Sequence, residues 1–201
     1  MLSVLGLFSI GVFAITSVIA TQNKNLDIFS VIFLAAVAAL GGGTIRDIIL
    51  GVDPIFWIGD LWFLWIVVGT ALVAFFIMRR LSNRNALLLY LDALGISLFS
   101  ITAAAKTFGL GHSGSVAVVM GLITAIFGSI LRDLLAGSPS LLLRREMYAT
   151  PVLLGLCIYA ALESFLANPE LTIPFCITMT FCFRAAAIHF HLQYPHWLCS
   201  R

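Results

Sequence analysis

Two charged pairs lie inside long apolar segments of this chain, and each pair follows a run of small residues. The first group reads Gly41-Gly42-Gly43-Thr44-Ile45-Arg46-Asp47 and closes at Gly51; the second, 86 positions later, reads Gly128-Ser129-Ile130-Leu131-Arg132-Asp133 and closes at Gly137. Charges within an apolar segment are costly, and they usually face a water-filled cavity or one another. The repeated pattern therefore predicts either a polar route through the protein or a structural ion pair.

The three consecutive glycines of the first group, Gly41 to Gly43, predict an irregular point in a helix. Each glycine costs a helix about 1 kcal/mol relative to alanine. One interpretation is a bend or break that turns free backbone carbonyls and amides toward a watered cavity. The alternative is close helix packing through small residues. We favour the break, because three glycines in a row exceed what packing needs.

The charged residues of the two groups also allow more than one interpretation. Adjacent positions on a helix do not face each other, so Arg46 and Asp47 are expected to pair with other helices, as are Arg132 and Asp133. One hypothesis is that these charges form ion pairs between the two halves of the chain. The others are that they line or gate an ion route, or that they extend toward the membrane interface.

A segment between the two groups carries hydroxyl side chains with a charge near each end. Asp92 precedes Ser97, Ser100 and Thr102, and Lys106 follows them. Hydroxyls suit a partly hydrated small cation as ligands, but serine and threonine also bond to carbonyls of their own helix. Lys106 has three alternative roles: extension to the interface, repulsion of cations as a gate, or binding of an anionic lipid or substrate carboxylate.

The composition identifies an integral membrane protein. Hydrophobic residues make up 61% of the chain and charged residues 10%, whereas a soluble domain has about a quarter of its residues charged. The net charge of +2 and the lack of a basic, aromatic-interleaved patch argue against a nucleic-acid partner. No Walker loop, HExxH, nucleophile elbow or pair of catalytic carboxylates occurs, so we expect no enzyme, no metal site and no cofactor.

Hydropathy divides the chain into membrane-length segments. A helix needs about 20 apolar residues to cross the hydrocarbon core. Seven segments meet this condition, over residues 2–20, 28–50, 57–78, 86–105, 114–136, 147–167 and 171–191. The sequence therefore predicts one all-α transmembrane domain over residues 1–201, located in the cell membrane.

Lysine and arginine predict the orientation, because they collect on the cytoplasmic side. With the N-terminus outside, the inner side receives Lys24, Arg79, Arg80, Arg84, Arg144, Arg145 and Arg201. The outer side clearly receives only Lys106. We predict an N-out/C-in topology.

The offset of 86 positions extends beyond the charged groups, since Phe13, Ile15 and Thr16 match Phe99, Ile101 and Thr102. We therefore predict a first repeat over about 1–85, a second over about 86–168, and an added seventh helix over about 171–191. Each repeat has three spans, so the two must be inverted, as in many transport proteins. The candidate pore-lining residues are Gly41, Gly42, Gly43, Thr44, Ser97, Ser100, Thr102, Gly128 and Ser129, and the candidate gating or inter-repeat charges are Arg46, Asp47, Asp92, Lys106, Arg132 and Asp133.

The seven predicted spans and the doubled glycine and Arg-Asp pattern together resemble the bacterial TRIC (trimeric intracellular cation channel) family, a group also labelled glycine transporter by inference. The resemblance covers about Leu2 to His191. Its matched positions are Gly41 to Gly43, Arg46, Asp47, Gly128, Ser129, Arg132 and Asp133. Animal relatives carry a Lys-Glu pair where this chain has Arg46-Asp47. A serine replaces a glycine in the second copy, so the two halves need not bend alike.

The resemblance implies a homotrimer in contact with membrane lipids, with one ion route through each subunit beside kinked second and fifth spans. The expected permeant ions are monovalent cations, chiefly potassium, and sodium is also expected to pass. No TVGYG-type filter is present, which indicates modest selectivity. The alternative function is a secondary transporter of glycine or another small zwitterion, held by helix breaks. A membrane scaffold without transport is the third class.

Overall fold

The computed structural model describes residues 2–22, 24–78, 84–143, 146–166 and 168–194. Its regular elements are eight α-helices and one short 3-10 helix, Leu141–Leu143. In chain order the α-helices are α1 (Leu2–Thr21), α2 (Ile28–Ile49), α3 (Phe56–Gly59), α4 (Trp62–Met78), α5 (Arg84–Gly109), α6 (Gly114–Leu135), α7 (Ala149–Leu166) and α8 (Pro169–His189).

The prediction of an all-α membrane protein is confirmed. Among the described residues, six helices are long and apolar enough to cross a membrane, namely α1, α2, α5, α6, α7 and α8. Their bounds lie close to those predicted from hydropathy, although α5 extends beyond the predicted 86–105 at both ends. The shorter α4 is apolar throughout its 17 residues.

The third predicted span, 57–78, was wrong at its start. The structure places a one-turn helix there, α3, and begins α4 only at Trp62. Gly59 and Asp60 interrupt the helical run, since both residue types disfavour a helix interior. The Asp60 carboxylate accepts a hydrogen bond from the Trp62 backbone N–H at 3.1 Å, which starts the new helix. The 17 residues of α4 span about 25 Å at 1.5 Å per residue.

The helices pack as two groups of three with one addition. Helices α1, α2 and α4 contact one another, and α5, α6 and α7 do the same. Extensive contacts between α1 and α5, and between α2 and α6, join the two groups. Helix α8 packs against α5 and α7. The buried core therefore lies mainly where the two groups meet, around α1, α2, α5 and α6.

Local sequence explains where α2 begins. Asp27 precedes the helix, and its two carboxylate oxygens accept hydrogen bonds from the backbone N–H and the hydroxyl of Ser30, at 2.8 and 2.9 Å. Such a cap satisfies one of the free amides at a helix start. The backbone hydrogen bond from Ser30, followed by its hydroxyl, lowers the pKa of the exposed Asp27 carboxyl.

Helices α2 and α6 end in the same way, and the closing glycine of each motif makes that end. Gly51 and Gly137 take positive φ values of 65° and 57°. The Val52 N–H then bonds to the Asp47 carbonyl at 2.8 Å, and the Ser138 N–H bonds to the Asp133 carbonyl at 2.9 Å. This is the Schellman arrangement, in which a left-handed glycine allows the chain to fold back on the last turn.

Substitution at Gly51 tests this account of the helix end. A Cβ at Gly51 would meet no atom within 4 Å, so Gly51→Ala changes only backbone preference. We expect a loss of about 1–2 kcal/mol, because an L-residue disfavours a positive φ. Gly69→Ala in α4 is the matched control, since its added Cβ also meets open space. Thermal unfolding in detergent should show Gly51→Ala destabilised and Gly69→Ala equal to or above wild type. Equal stability of the two variants would refute the explanation.

Candidate functional site

The candidate site is built around the crossing of α2 and α6. Gly42 faces the α6 backbone: a Cβ there would lie 2.1 Å from the Thr124 carbonyl oxygen. Gly128 faces α2 in return, with its Cβ position 3.1 Å from the Ala38 carbonyl oxygen. Ala38 and Thr124 are 86 positions apart, as are Gly42 and Gly128. The two helices thus touch backbone to backbone through equivalent residues.

The other two glycines of the run also serve packing. A Cβ at Gly41 would lie 2.5 Å from Leu131 Cδ1, and one at Gly43 would lie 2.6 Å from the Phe56 ring. Helix α2 continues through all three glycines without interruption, and α6 is likewise continuous through Gly128. The predicted helix break was therefore wrong, and the alternative of close packing is confirmed. Each of the three glycines avoids a different clash, because Gly41 and Gly42 face α6 and Gly43 faces the Phe56 ring of α3.

Two aromatic rings block the space beside this crossing. Phe13 on α1 and Phe99 on α5 make an edge-to-face contact with ring centroids 5.1 Å apart, and both side chains are buried. They border a gap with Gly42 and Gly128 that is too narrow to hold a water molecule. Phe13 and Phe99 are themselves separated by 86 positions.

The first charged centre is organised around the buried carboxylate of Asp47. Its Oδ1 accepts hydrogen bonds from Arg46 Nε and Nη2 at 2.8 and 2.7 Å. Lys106 Nζ lies 2.9 and 3.0 Å from the two carboxylate oxygens, and the Phe56 backbone N–H donates to Oδ2 at 2.9 Å. Asp47 therefore ties the end of α2 both to α5 and to the start of α3.

The second charged centre repeats this plan around Asp133. Arg132 Nε donates to Asp133 Oδ1 at 2.9 Å, and the Leu141 backbone N–H donates to Oδ2 at 2.9 Å. The partner on α5 now has the opposite sign, since Arg132 Nη1 donates to Asp92 Oδ1 at 2.6 Å. Asp92, Arg132 and Asp133 are all buried. Each Arg-Asp pair is therefore bonded both to the segment that follows its own helix and to a residue toward one end of α5.

The expectation that adjacent Arg and Asp residues are poor partners was wrong, for Arg46 with Asp47 and for Arg132 with Asp133. An arginine stem is long enough to fold the guanidinium back beside the next residue's carboxylate. In buried surroundings this pairing offsets part of the cost of removing both charges from water. The accompanying expectation of partners on other helices is confirmed, since Lys106 and Asp92 supply them. Lys106 forms a specific ion pair instead of only extending to the interface.

The predicted hydroxyl ligands mostly bond within their own helices. Ser97, Ser100 and Thr102 donate to the carbonyls of Ala93, Ser97 and Leu98, at 2.6, 3.2 and 2.7 Å. Thr44 donates to the Leu40 carbonyl at 2.8 Å and accepts a hydrogen bond from the Trp57 indole at 3.1 Å. Their oxygens keep lone pairs for a ligand, but their protons are used.

Beside the second centre, aromatic and basic side chains fill the space. The Tyr148 hydroxyl donates to Ser129 Oγ at 2.9 Å. The Arg184 guanidinium of α8 lies over the Tyr148 ring, 4.6 Å from its centroid, and Arg184 Nη1 donates to the Met147 carbonyl at 2.8 Å. Tyr148 and Arg184 are almost fully buried. The contact between Arg184 and Tyr148 joins distant parts of the chain, and their spacing in the sequence does not predict it.

Beside the first centre the structure is open. A cavity of about 220 Å³ lies between α1, the end of α2, α4 and α5. We call it the vestibule; its lining includes Ser3, Gly43, Arg46, Phe56, Thr102 and Lys106. Phe99 also lines it, so the vestibule reaches the blocked crossing.

Sequence reasoning assigned no role at the site to four of its residues. The offset of 86 positions matches Phe13 to Phe99, but it did not predict that the two rings form a constriction. Tyr148 lies in the connection before α7 and Phe56 begins the one-turn helix α3, and no sequence signal marks either residue.

Comparison with known proteins gives consistent results. A family model described as "Glycine transporter" matches residues 3–79 and 89–164. A Vibrio cholerae protein described as "UPF0126 membrane protein" is 34% identical over 203 residues, covering 100% of this chain and 84% of the relative. The Escherichia coli "UPF0126 inner membrane protein YadS" is 35% identical over 92% of this chain and 90% of its own length.

A solved structure of the TRIC trimeric intracellular cation channel orthologue from Rhodobacter sphaeroides has the same fold. It is 38% identical, with a TM-score of 0.91, and the match covers 95% of this chain and 98% of that one. The predicted resemblance is confirmed by these comparisons. The predicted multi-pass location in the inner membrane is confirmed as well.

Alanine substitutions in the glycine run distinguish packing against backbone from packing against a side chain. Gly42→Ala must separate α2 from the α6 backbone, so we expect a loss of about 1–3 kcal/mol. Gly41→Ala meets only the end of the Leu131 side chain, which can move, and should cost less. Thermal unfolding of the two purified variants measures the difference. The packing explanation fails if Gly41→Ala is as destabilising as Gly42→Ala.

Proposed function

We propose that this chain, which belongs to the glycine transporter family, is a passive channel for monovalent cations, chiefly potassium. The observation that carries the proposal is the match to the Rhodobacter sphaeroides cation channel, over nearly the whole of both chains. The function needs no cofactor and no enzymatic step.

The proposed route runs between two inverted repeats within one subunit. Three contacts support it: Gly42 with the Gly128 region, Ala38 with the same crossing, and Phe13 with Phe99. Gly42 meets Thr124 and Gly128 meets Ala38, so each contacts a residue four positions from its counterpart, while Phe13 meets its own counterpart, Phe99. Reciprocal contacts of this kind are those of a two-fold interface. An axis of this kind lying in the membrane plane is the relation expected of inverted repeats.

The proposed route is closed in this conformation. The vestibule admits water beside Lys106, but the passage stops at Phe13 and Phe99. Beyond them, Tyr148 and Arg184 fill the region that corresponds to the vestibule in the other repeat. Opening therefore requires the two rings to separate, which would admit water by wetting an apolar constriction.

Among the residues assigned to the route, Gly43, Thr102, Arg46 and Lys106 already line the vestibule. Once the passage widens, the permeating cation is proposed to meet hydroxyl oxygens of Thr44, Ser97, Ser100 and Ser129. The charge at the two ends of the route is proposed to be set by Asp47, Asp92, Arg132 and Asp133. Gly41, Gly42 and Gly128 let α2 and α6 approach, instead of offering free carbonyls as ion ligands.

The proposed orientation is N-out/C-in, with α4 as a seventh span. Lys24 donates to the Gly137 carbonyl at 3.3 Å, which places the α1–α2 and α6–α7 connections on one side. Lys106, near the end of α5, contacts the end of α2, and this contact lies on the opposite side of the membrane domain from Lys24. Of the predicted inner basic residues, Arg79, Arg80, Arg144, Arg145 and Arg201 lie outside the described residues, as does the side chain of Arg84.

We also propose a homotrimer surrounded by lipid, with one route in each subunit. The support comes from the Rhodobacter sphaeroides relative, which is described as trimeric. Large apolar side chains are exposed along α4 and α8, including Trp62, Trp65, Phe76 and Phe175, and these suit contact with lipid or with another subunit.

A secondary transporter of glycine or another small zwitterion is the second candidate, favoured by the description of the family model. That reading relied on broken helices, whose free amides and carbonyls would bind the two charged ends of the zwitterion. Helices α2 and α6 are continuous in the structure, so this cradle is not formed at Gly41 to Gly43 or at Gly128.

Planar bilayer recording under a potassium gradient tests the proposed function. A channel gives discrete current steps that reverse toward the potassium equilibrium potential, with sodium carried less well. The same preparation in proteoliposomes is assayed for glycine uptake. Saturable glycine uptake in the absence of current steps would replace the channel with the transporter.

A separate prediction concerns the aromatic constriction. Phe13→Ala and Phe99→Ala should raise the open probability or unit conductance, because each removes a ring from the narrowest point. Phe175→Ala is the matched control, since this phenylalanine is 57% exposed on α8. Single-channel recording compares the three variants. Unchanged currents in both constriction variants would place the barrier elsewhere.

A further inference from the structure

We propose that the vestibule is a binding site for a small monocarboxylate with a short apolar body. This inference does not depend on the direction or the rate of cation flow. It rests on the charges that line the vestibule, on the donors that they leave free, and on the apolar character of the remaining walls.

The vestibule carries one uncompensated positive charge. Arg46 and Lys106 line it, and both pair with the single carboxylate of Asp47. In the corresponding region of the second repeat, the described residues carry two positive and two negative charges: Arg132 pairs with Asp92 and Asp133, and Arg184 lies over Tyr148. Within the described part of the chain, the open cavity with an excess cation therefore lies beside the first centre. A bound monoanion would restore neutrality there.

The carboxylate of Asp47 has no acceptor position left for further hydrogen bonds from Arg46 and Lys106. Its two oxygens already accept hydrogen bonds from Arg46, Lys106 and the Phe56 backbone N–H. Arg46 uses Nε and Nη2 in these bonds, and among the described residues Nη1 makes no further hydrogen bond. An ammonium has three donors, and Lys106 directs its two recorded contacts at the same carboxylate. Donors therefore remain for a second carboxylate in the vestibule.

The apolar residues that line the vestibule determine the uncharged part of the ligand. Phe56, Phe63, Phe99 and Ile10 line the vestibule beside the two cations. Arg46 and Lys106 both lie over the Phe56 ring, at 5.7 and 5.9 Å from its centroid. An ammonium group on the ligand would face two like charges across this space. The site therefore favours a carboxylate on a short aliphatic chain over a zwitterion or an amine.

Propionate is the probe for the test, with glycine and propylammonium as comparisons. Each is titrated at constant ionic strength into the purified full-length protein in nanodiscs of neutral lipid, and binding is followed by calorimetry. We expect saturable binding of propionate and none of propylammonium. Lys106→Met should weaken propionate binding by about tenfold or more, which is the value of one charge-assisted hydrogen bond.

Two further variants make the result specific. Lys24→Met removes the same charge from the exposed α1–α2 connection and should bind propionate as the wild type does. Ser3→Trp fills the vestibule from its exposed rim without a change of charge and should abolish binding. This variant also tests the site if Lys106→Met fails to fold.

Three outcomes would overturn the assignment. Propionate binding that survives both Lys106→Met and Ser3→Trp would place the site elsewhere. Glycine bound as tightly as propionate would contradict the charge argument. Loss of propionate binding when phosphatidylglycerol replaces the neutral lipid would assign the two cations to a lipid headgroup. None of these results depends on current through the protein, so a failure of the channel proposal is separable from a failure of this one.

Discussion

The backbone contact between α2 and α6 is the constraint on which the rest of the structure depends. Gly42 and Gly128 leave no Cβ in the crossing, so the carbonyls of Thr124 and Ala38 lie where side chains would otherwise stand. Lipid tails are as apolar as leucine, so close van der Waals packing holds membrane helices together instead of hydrophobic burial. The crossing brings α1 and α5 together as well, and their rings meet beside it.

Helix α5 links the two ends of the molecule through its charges. Asp92 near its start meets Arg132, and Lys106 near its end meets Asp47. These two residues of α5 are separated by about 21 Å along the helix axis, at 1.5 Å per residue. The carboxylate centres therefore cannot relax independently, because one rigid element joins them. The chain keeps the same Arg-Asp plan at both ends but opposite charges on α5, and Tyr148 and Arg184 fill the space beside the second centre.

Much of the fold could be predicted from hydropathy, because a span of apolar residues in a membrane has few alternatives to a helix. The late start of α4 was not predicted, although Gly59 and Asp60 are poor helix formers. The site was harder to predict. The glycine run is compatible with a break or with packing, and only the neighbours, such as Phe56 and Leu131, decide between them. The folding of Arg46 onto Asp47 depends on side-chain conformation, which spacing along a helix does not determine. The Tyr148 and Arg184 contact joins residues from separate parts of the chain.

The contact of Phe13 with Phe99 is the contact that an antiparallel dimer of half-length chains would make. Such a dimer requires each chain to insert in both directions, and this demands nearly equal lysine and arginine on its two sides. Fusion of the halves removes that demand, because each half then has one fixed direction. In the N-out/C-in orientation that we propose, the lysine and arginine bias of this sequence is one that such a dimer could not have. Helix α8 has no counterpart in the first half, and its Arg184 occupies the second half alone. The correspondence at an offset of 86 positions is therefore absent where α8 packs, and it is kept where the two phenylalanines meet.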